Sequence, residues 1–221
     1  MPQFSHIKTW VFDLDNTLYD AETELFRLVA DRMTDFVAQF LKTDAGEANR
    51  IRKHYYQTYG TTLRGLMEEH NLDPTDFLQY VHDIDYQIVT PCALTQSGLT
   101  RLEGRKVVFT NAPRHFATAM LDHLGIAHHF DGVFAIEDAT YLPKPNIQTY
   151  HTCFARHGID PQTACMFEDM EVNLKPAHDL GMTTVWFHGR MTDHPADGSH
   201  IHHKAEKLTD WFGDYFKNSN P

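Results

Sequence analysis

The sequence predicts an α/β protein: a doubly wound parallel sheet with an inserted all-helical domain. Three observations lead there. Short apolar runs, separated by helical segments of ten or more residues from residue 106 onward, recur along the chain; that alternation marks βαβ units and a parallel sheet. Residues 18–90 show helical spacing and no strand pattern. Acidic and amide side chains follow the apolar runs, at the strand ends where open parallel sheets bind ligands.

The elements read in order as follows. Residues 9–14, "TWVFDL", form a buried strand, and from Ala21 to Leu41 the period becomes helical. Leu25, Leu28, Val29, Met33, Phe36, Val37 and Phe40 fall three and four apart, giving one apolar face. Further helices cover 46–59 and 62–70, and a fourth starts at "DPTDFLQYVHD". There Asp73 suits the N-cap and Pro74 the first helical position. "KVVFTN" (106–111) is a strand, and Pro113 opens the helix "RHFATAMLDHLG". "GVFAI" (132–136), "ACMFE" (164–168) and "TTVWF" (183–187) are strands; helices lie between them, at 145–157 and in a segment closed by Gly181. "GRMTDHPADGSHIHHK" is expected to be a polar loop, followed by a last amphipathic helix over 205–217. The expected domains are an α/β core of residues 1–17 and 96–221, and a helical insert of residues 18–95.

The chain of 221 residues is long enough for a core and a smaller insert. A hydrophobic content of 42% argues against disorder. The net charge of −11, with no long Lys/Arg cluster, argues against free nucleic acid as a partner. A small anionic substrate remains compatible, because a metal ion and local cations can reverse the field inside one pocket. Cys92, Cys153 and Cys165 are an odd set without a C-x-x-C motif, read as free thiols of a reducing compartment. No apolar stretch has the length of a signal peptide or membrane span. The expectation is a soluble, cytoplasmic protein without a membrane partner, a monomer or a homodimer.

The chemistry lies at the strand ends. The first strand is followed by Asp13, Asp15, Asn16 and Thr17, and the second by Thr110 and Asn111. The third leads to Lys144 in "LPKPN", and the fourth to Glu168 and Asp169. Residues two apart in a strand share a face, which puts Asp13 and Asp15 on the same side. Carboxylates gathered in one crevice suit Mg²⁺, which prefers oxygen ligands. A carboxylate can also act as a nucleophile and become an aspartyl-phosphate, and the transferring phosphoryl group needs a metal, a Lys and fixed donors.

"DLDNT", "FTN", "KP" and "EDMEVN", in that order, resemble the motif set of the haloacid dehalogenase superfamily of phosphohydrolases. "FDLDNTLY", "YYQTYGTTLRGL", "VHDID", "FTNAP", "PKP" and "MFEDMEVNL" look like its pyrimidine 5′-nucleotidase group. The resemblance implies a Rossmann-like core with a helical cap. It also implies a Mg²⁺-dependent phosphomonoesterase acting on small phosphate esters, nucleoside 5′-monophosphates in particular. A phosphatase or mutase for a sugar phosphate or phosphoglycolate is the alternative. By the resemblance, Asp13 is the nucleophile and Asp15 the acid and base. Mg²⁺ is held by Asp13, the Asp15 carbonyl and Asp169, with Glu168 direct or through water. Thr110 and the backbone at Asn111 hold phosphate oxygens, Lys144 neutralises charge, and Asn16, Thr17 and Asn173 support the motifs.

For substrate selection, the turn "YGTTLRGL" offers Thr61 and Thr62, with Tyr59 and Tyr19 as further candidates for base or sugar contacts. The competing reading is a helix-connecting turn with Thr62 as its N-cap. His82–Asp83 as a lone "HD" reads as chance, and "HH" at 128–129 and "HIHH" at 200–203 as solvated loop residues. Cys165, inside a strand, reads as a buried thiol.

Overall fold

The computed structural model describes residues 4–20, 24–189 and 198–219. Six parallel strands form one sheet in the order β3-β2-β1-β4-β5-β6. They are β1 (Thr9–Phe12), β2 (Arg105–Phe109), β3 (Gly132–Phe134), β4 (Ala164–Glu168), β5 (Thr183–Phe187) and β6 (His203–Ala205). β1 lies centrally, with Val11 level with Val107 on one side and Met166 on the other. A buried strand between two parallel neighbours needs apolar side chains on both faces, and every residue of β1 is buried.

Helices cover both faces. Trp10, Phe12, Val108, Phe167 and Val185 pack against α5 (Ala93–Arg101), α6 (Arg114–His123) and α9 (Leu208–Ser219). Val11, Phe109, Met166 and Trp186 pack against α7 (Ile147–His157) and α8 (Glu171–Asp179). The alternation of Phe167 with Met166, and of Val185 with Trp186, is the period of two expected of a pleated strand.

Helices α1 (Glu24–Leu41), α2 (Ala45–Tyr59), α3 (Thr62–His70) and α4 (Pro74–His82) follow β1. They share an apolar cluster around Val37, Ala48, Leu66, Phe77 and Val81. The expected stripe on α1 divides: Leu25 joins the sheet core, while Val29, Met33, Phe36 and Val37 face the helical cluster and Phe40 is exposed. Ile136, from the segment after β3, is buried in the same cluster and joins it to the sheet layer. Asp73 caps α4 as expected, its carboxylate accepting from the Thr75 N–H at 2.8 Å.

Three features depart from the sequence reading. The first strand stops at Phe12, so Asp13 and Asp15 lie in the turn beyond it rather than on its face; Asn16, at φ 55°, carries that turn through the left-handed region. Helix α5 was not anticipated, and the domain boundary drawn after residue 95 falls inside it. The tail read as a polar loop ends in β6, parallel to β5, with His203 level with Val185. Nor are residues 200–203 solvated as a group. His200 is buried against Glu171 at 2.8 Å, His202 Nδ1 accepts from the Thr184 N–H at 3.1 Å, and His203 packs on Phe4 at 4.6 Å. Residues 190–197 of that tail lie outside the described residues.

The packing of α5 on α9 gives a stability prediction. A Cβ built on Gly98 would lie 2.1 Å from the buried ring of Phe212. Gly98→Ala gains about 1 kcal/mol of helix propensity but overpacks the contact at about 1–3 kcal/mol. The expected result is a net loss of up to about 2 kcal/mol in denaturant unfolding, whereas an open helical site would gain stability.

Candidate active site

The carboxyl ends of β1, β2 and β4, with the segment after β3, meet at Lys144. Its ammonium donates to Asp13 Oδ1 at 2.7 Å, Glu168 Oε2 at 2.7 Å and the Phe109 carbonyl at 2.9 Å. All three donors of the ammonium are therefore directed. Lys144 and Glu168 are buried, and Asp13 nearly so. Asn111 fixes the lysine backbone at two points: its Oδ1 accepts from the Lys144 N–H at 2.8 Å, and its Nδ2 donates to the Lys144 carbonyl at 3.3 Å.

The acidic loop after β4 is also held in detail. Glu168 Oε1 accepts from Asn173 Nδ2 at 3.2 Å and from the Met170 N–H at 3.3 Å. Tyr150 donates to the Asn173 carbonyl at 2.5 Å. Asp169 Oδ2 accepts from Asn16 Nδ2 at 3.1 Å, and the Asp169 carbonyl accepts from the Trp186 indole at 2.7 Å.

Asp15 has a separate partner. The Tyr19 hydroxyl donates to its Oδ1, so the two aspartates of one turn are held by different groups. Thr110 is buried, and its hydroxyl accepts from the Ala112 N–H at 3.0 Å, which leaves the hydroxyl proton for a second acceptor. Thr17 Oγ1 is buried and has no hydrogen-bond partner among the described residues.

The structure thus brings Asp13, Glu168, Asp169, Lys144, Asn16 and Asn173 into one network. Asn111 lies in it as a clamp on Lys144, and Tyr19 as a donor to Asp15. The turn 59–62 makes none of the hydrogen bonds of this network; its hydroxyls contact groups of the helical layer. Thr61 is the N-cap of α3, accepting from the Arg64 N–H at 3.1 Å; Thr62 donates to the Arg52 carbonyl at 3.3 Å, and Tyr59 donates to Glu69. The cap role read for Thr62 therefore belongs to Thr61. His82 is buried, with Nδ1 3.0 Å from the Leu78 carbonyl and its ring against Phe116. Cys165 is buried in β4. Trp186 and Tyr150 were not singled out in the sequence; both are aromatic residues whose polar tip reaches a loop backbone, and apolar periodicity does not report such contacts.

Electrostatics define what the network lacks. Burial, then the Glu168 charge, push the Asp13 carboxyl from 3.8 up to about 7 against the pull of Lys144. Burial and the Asp13 charge take Asp15 to about 7. Burial takes Glu168 to about 7 despite Lys144, and burial with Asp13 takes Asp169 to about 6. Burial alone would lower the Lys144 ammonium, but Asp13 and Glu168 hold it above its ordinary value. The cluster carries more negative charge than one ammonium offsets. Oxygens of Asp13, Glu168 and Asp169 lie within 4.8 Å of one another. Close, hard oxygen donors with uncompensated negative charge fit a cation such as Mg²⁺.

Comparison with known proteins agrees with this geometry. Residues 7–181 match the haloacid dehalogenase-like hydrolase family. The chain belongs to that family. It is 29% identical over 196 residues to Phosphate metabolism protein 8 of Saccharomyces cerevisiae, covering 80% of this chain and 60% of the yeast protein. It is 35% identical over 78 residues to Fructose-1-phosphate phosphatase YqaB of Escherichia coli, covering 35% of this chain and 41% of that protein. The chain thus spans less than two thirds of either relative's length. Among solved structures, the HAD phosphatase from Thermococcus onnurineus shares the fold, with a TM-score of 0.67 at 19% identity over 95% of this chain and 98% of that one. No helix among the described residues of this haloacid dehalogenase-like hydrolase is long and apolar enough to cross a membrane.

The raised carboxyls give a signed pH prediction. Between about pH 4 and pH 7 the folded, metal-free protein holds more protons on Asp13, Asp15 and Glu168 than the unfolded chain does. Stability from these groups is therefore lost as pH rises through that window. Mg²⁺ requires the deprotonated forms of Asp13, Glu168 and Asp169, whose oxygens lie within 4.8 Å of one another, and stabilises the folded state by mass action. The expected result in thermal melts is a larger Mg²⁺-induced rise of Tm at pH 8 than at pH 5. Equal rises at both pH values would contradict the assignment of the ion to these carboxylates.

Proposed function

We propose that this hydrolase is a Mg²⁺-assisted phosphomonoesterase that works through an aspartyl-phosphate on Asp13, with nucleoside 5′-monophosphates, pyrimidine ones above all, as substrates. The observation that carries the reading is the separate tethering of two neighbouring carboxylates, Asp13 by Lys144 and Asp15 by Tyr19. A nucleophile beside a fixed cation and an acid held apart from it suit the departure of an alkoxide, which needs a proton. A halide leaves without one, so dehalogenation would give Asp15 no task.

In this reading an Asp13 oxygen attacks phosphorus and the ester P–O bond breaks. Asp15 gives its proton to the departing oxygen. It then takes a proton from water, which attacks phosphorus, releases phosphate and restores the Asp13 carboxylate. Lys144 holds the Asp13 carboxylate in place and offsets charge on the phosphoryl oxygens. The Thr110 hydroxyl and the N–H groups at Asn111 are the donors to those oxygens. Asp13, Asp169 and the Asp15 carbonyl, with Glu168 beside them, would hold Mg²⁺, which would supply charge neutralisation at the phosphoryl group. Helices α1 to α4 act as the cap that excludes water.

The nucleotide assignment is supported by "FDLDNTLY", "YYQTYGTTLRGL" and "MFEDMEVNL". Similarity to the Escherichia coli fructose-1-phosphate phosphatase, over a third of the chain, favours a sugar phosphate as the second reading. Phosphate release from UMP, CMP, AMP, GMP, fructose 1-phosphate and phosphoglycolate, with and without Mg²⁺, separates them. A preference for UMP and CMP is expected. A preference for fructose 1-phosphate would move the assignment to the second reading, and full activity after chelation would sink the metal assignment.

Asp13→Asn is expected to abolish turnover with the fold intact by circular dichroism. Asp15→Asn should slow UMP hydrolysis by about 10²–10⁴-fold. In the first step alone, read as the burst of released p-nitrophenol, it should slow p-nitrophenyl phosphate far less, because that leaving group departs without protonation. Equal losses on both esters in that step would argue against Asp15 as the acid.

A further inference from the structure

We propose that Trp186 is a positioning residue for the cation site: its indole N–H fixes the backbone of Asp169 so that the carboxylate is presented to a divalent ion. The inference rests on the metal-assisted reading above. Trp186 is level with Glu168 in the parallel pairing of β4 and β5. Its side chain packs among the apolar residues under α7 and α8. From there the indole reaches the turn that joins β4 to α8, donating to the Asp169 carbonyl at 2.7 Å, and the residue is 1% exposed.

The consequence follows from peptide geometry. The Asp169 carbonyl and the Met170 N–H belong to one planar unit and point in opposite directions. Trp186 holds the carbonyl, while Glu168 Oε1 accepts from the N–H at 3.3 Å. Two anchors on opposite sides prevent the plane from rotating. Asp169 is thereby fixed at its backbone, and Asn16 holds its carboxylate at 3.1 Å. Without the indole donor the half-buried Asp169 carbonyl loses this partner, the plane can turn, and both Asp169 and the Met170–Glu168 contact are released. The indole itself is held by its packing and by Lys204, whose ammonium lies 5.5 Å from the ring centroid.

The test is calorimetric titration of the metal-free full chain with MgCl₂, alongside kcat at saturating Mg²⁺ and the metal-free Tm. Two variants are used. Trp186→Phe removes the donor and part of the ring. Replacement of Trp186 by its benzothienyl isostere, in which sulfur stands for the N–H, removes the donor alone. Both are expected to raise the Kd for Mg²⁺ by about 10–100-fold, the usual effect of losing an outer-shell partner, with kcat at saturating Mg²⁺ largely restored. A Kd unchanged in the isostere would reduce Trp186 to packing and overturn the proposal, whatever the loss in Tm. Absence of any Mg²⁺ binding by the unaltered protein would overturn the metal reading, and this inference with it.

Discussion

The buried ammonium of Lys144 is the contact on which the site depends. It lies 2.7 Å from both Asp13 and Glu168, with its side chain 1% exposed. A lone buried ammonium, or either carboxylate alone, would cost several kcal/mol in lost hydration. Together they offset much of that cost, but only when segments from far apart in the sequence meet. Asp13 follows β1, Glu168 ends β4, and Lys144 comes from the segment after β3. Parallel pairing brings those strand ends to one edge, and the charges make their register consequential. A slip of one residue in β4 would turn Glu168 to the opposite face and leave Lys144 with an unbalanced partner.

Uncharged contacts then set where each charge points. Asn111 grips the lysine backbone and the Phe109 carbonyl takes the third N–H, so β2 fixes a side chain delivered by a different connection. The same connection meets the helical layer. Ile136 is buried among the helices that follow β1, and a Cβ on Gly60 would meet Pro143 at 3.5 Å. The segment that carries Lys144 is therefore also where the helices rest on the sheet.

Much of this was legible in the sequence because it is local or periodic. Short apolar runs located five strands, and helical spacing with Asp73–Pro74 located α1 to α4. The residues of the network other than Lys144, which comes from the longer segment after β3, lie within about five positions of a strand end, where a parallel sheet places them. β6 was hidden because His203–Lys204–Ala205 has neither apolar alternation nor β-branched residues; its position is set by pairing with β5. Helix α5 was hidden in a polar stretch, "ALTQSGLTR", whose buried side shows only Thr95, Gly98 and Leu99. Its Gly98 reads as a helix breaker, yet it is the residue that allows Phe212 to approach. The partners of Asp15, Asp169 and Asn173, namely Tyr19, Trp186 and Tyr150, depend on where an aromatic tip ends in space. Sequence periodicity reports the burial of such a ring and is silent on its hydrogen bond.

The helical turn 59–62 shows how a structure narrows a chemical choice. In the sequence Thr61 and Thr62 rank as candidates ahead of Tyr59. Tyr59 spends its proton on Glu69, and Thr62 spends its proton on the Arg52 carbonyl while 5% exposed. Thr61 is different: as an N-cap it accepts from the Arg64 N–H at 3.1 Å, so the hydroxyl proton is not consumed by the cap. A base or sugar oxygen approaching this turn needs a donor, and of these three hydroxyls Thr61 is the one with a proton to give. It also adjoins Gly60, which faces Pro143 next to Lys144. Thr61 is first of all the residue that starts α3, so a change there removes the cap and costs helix stability.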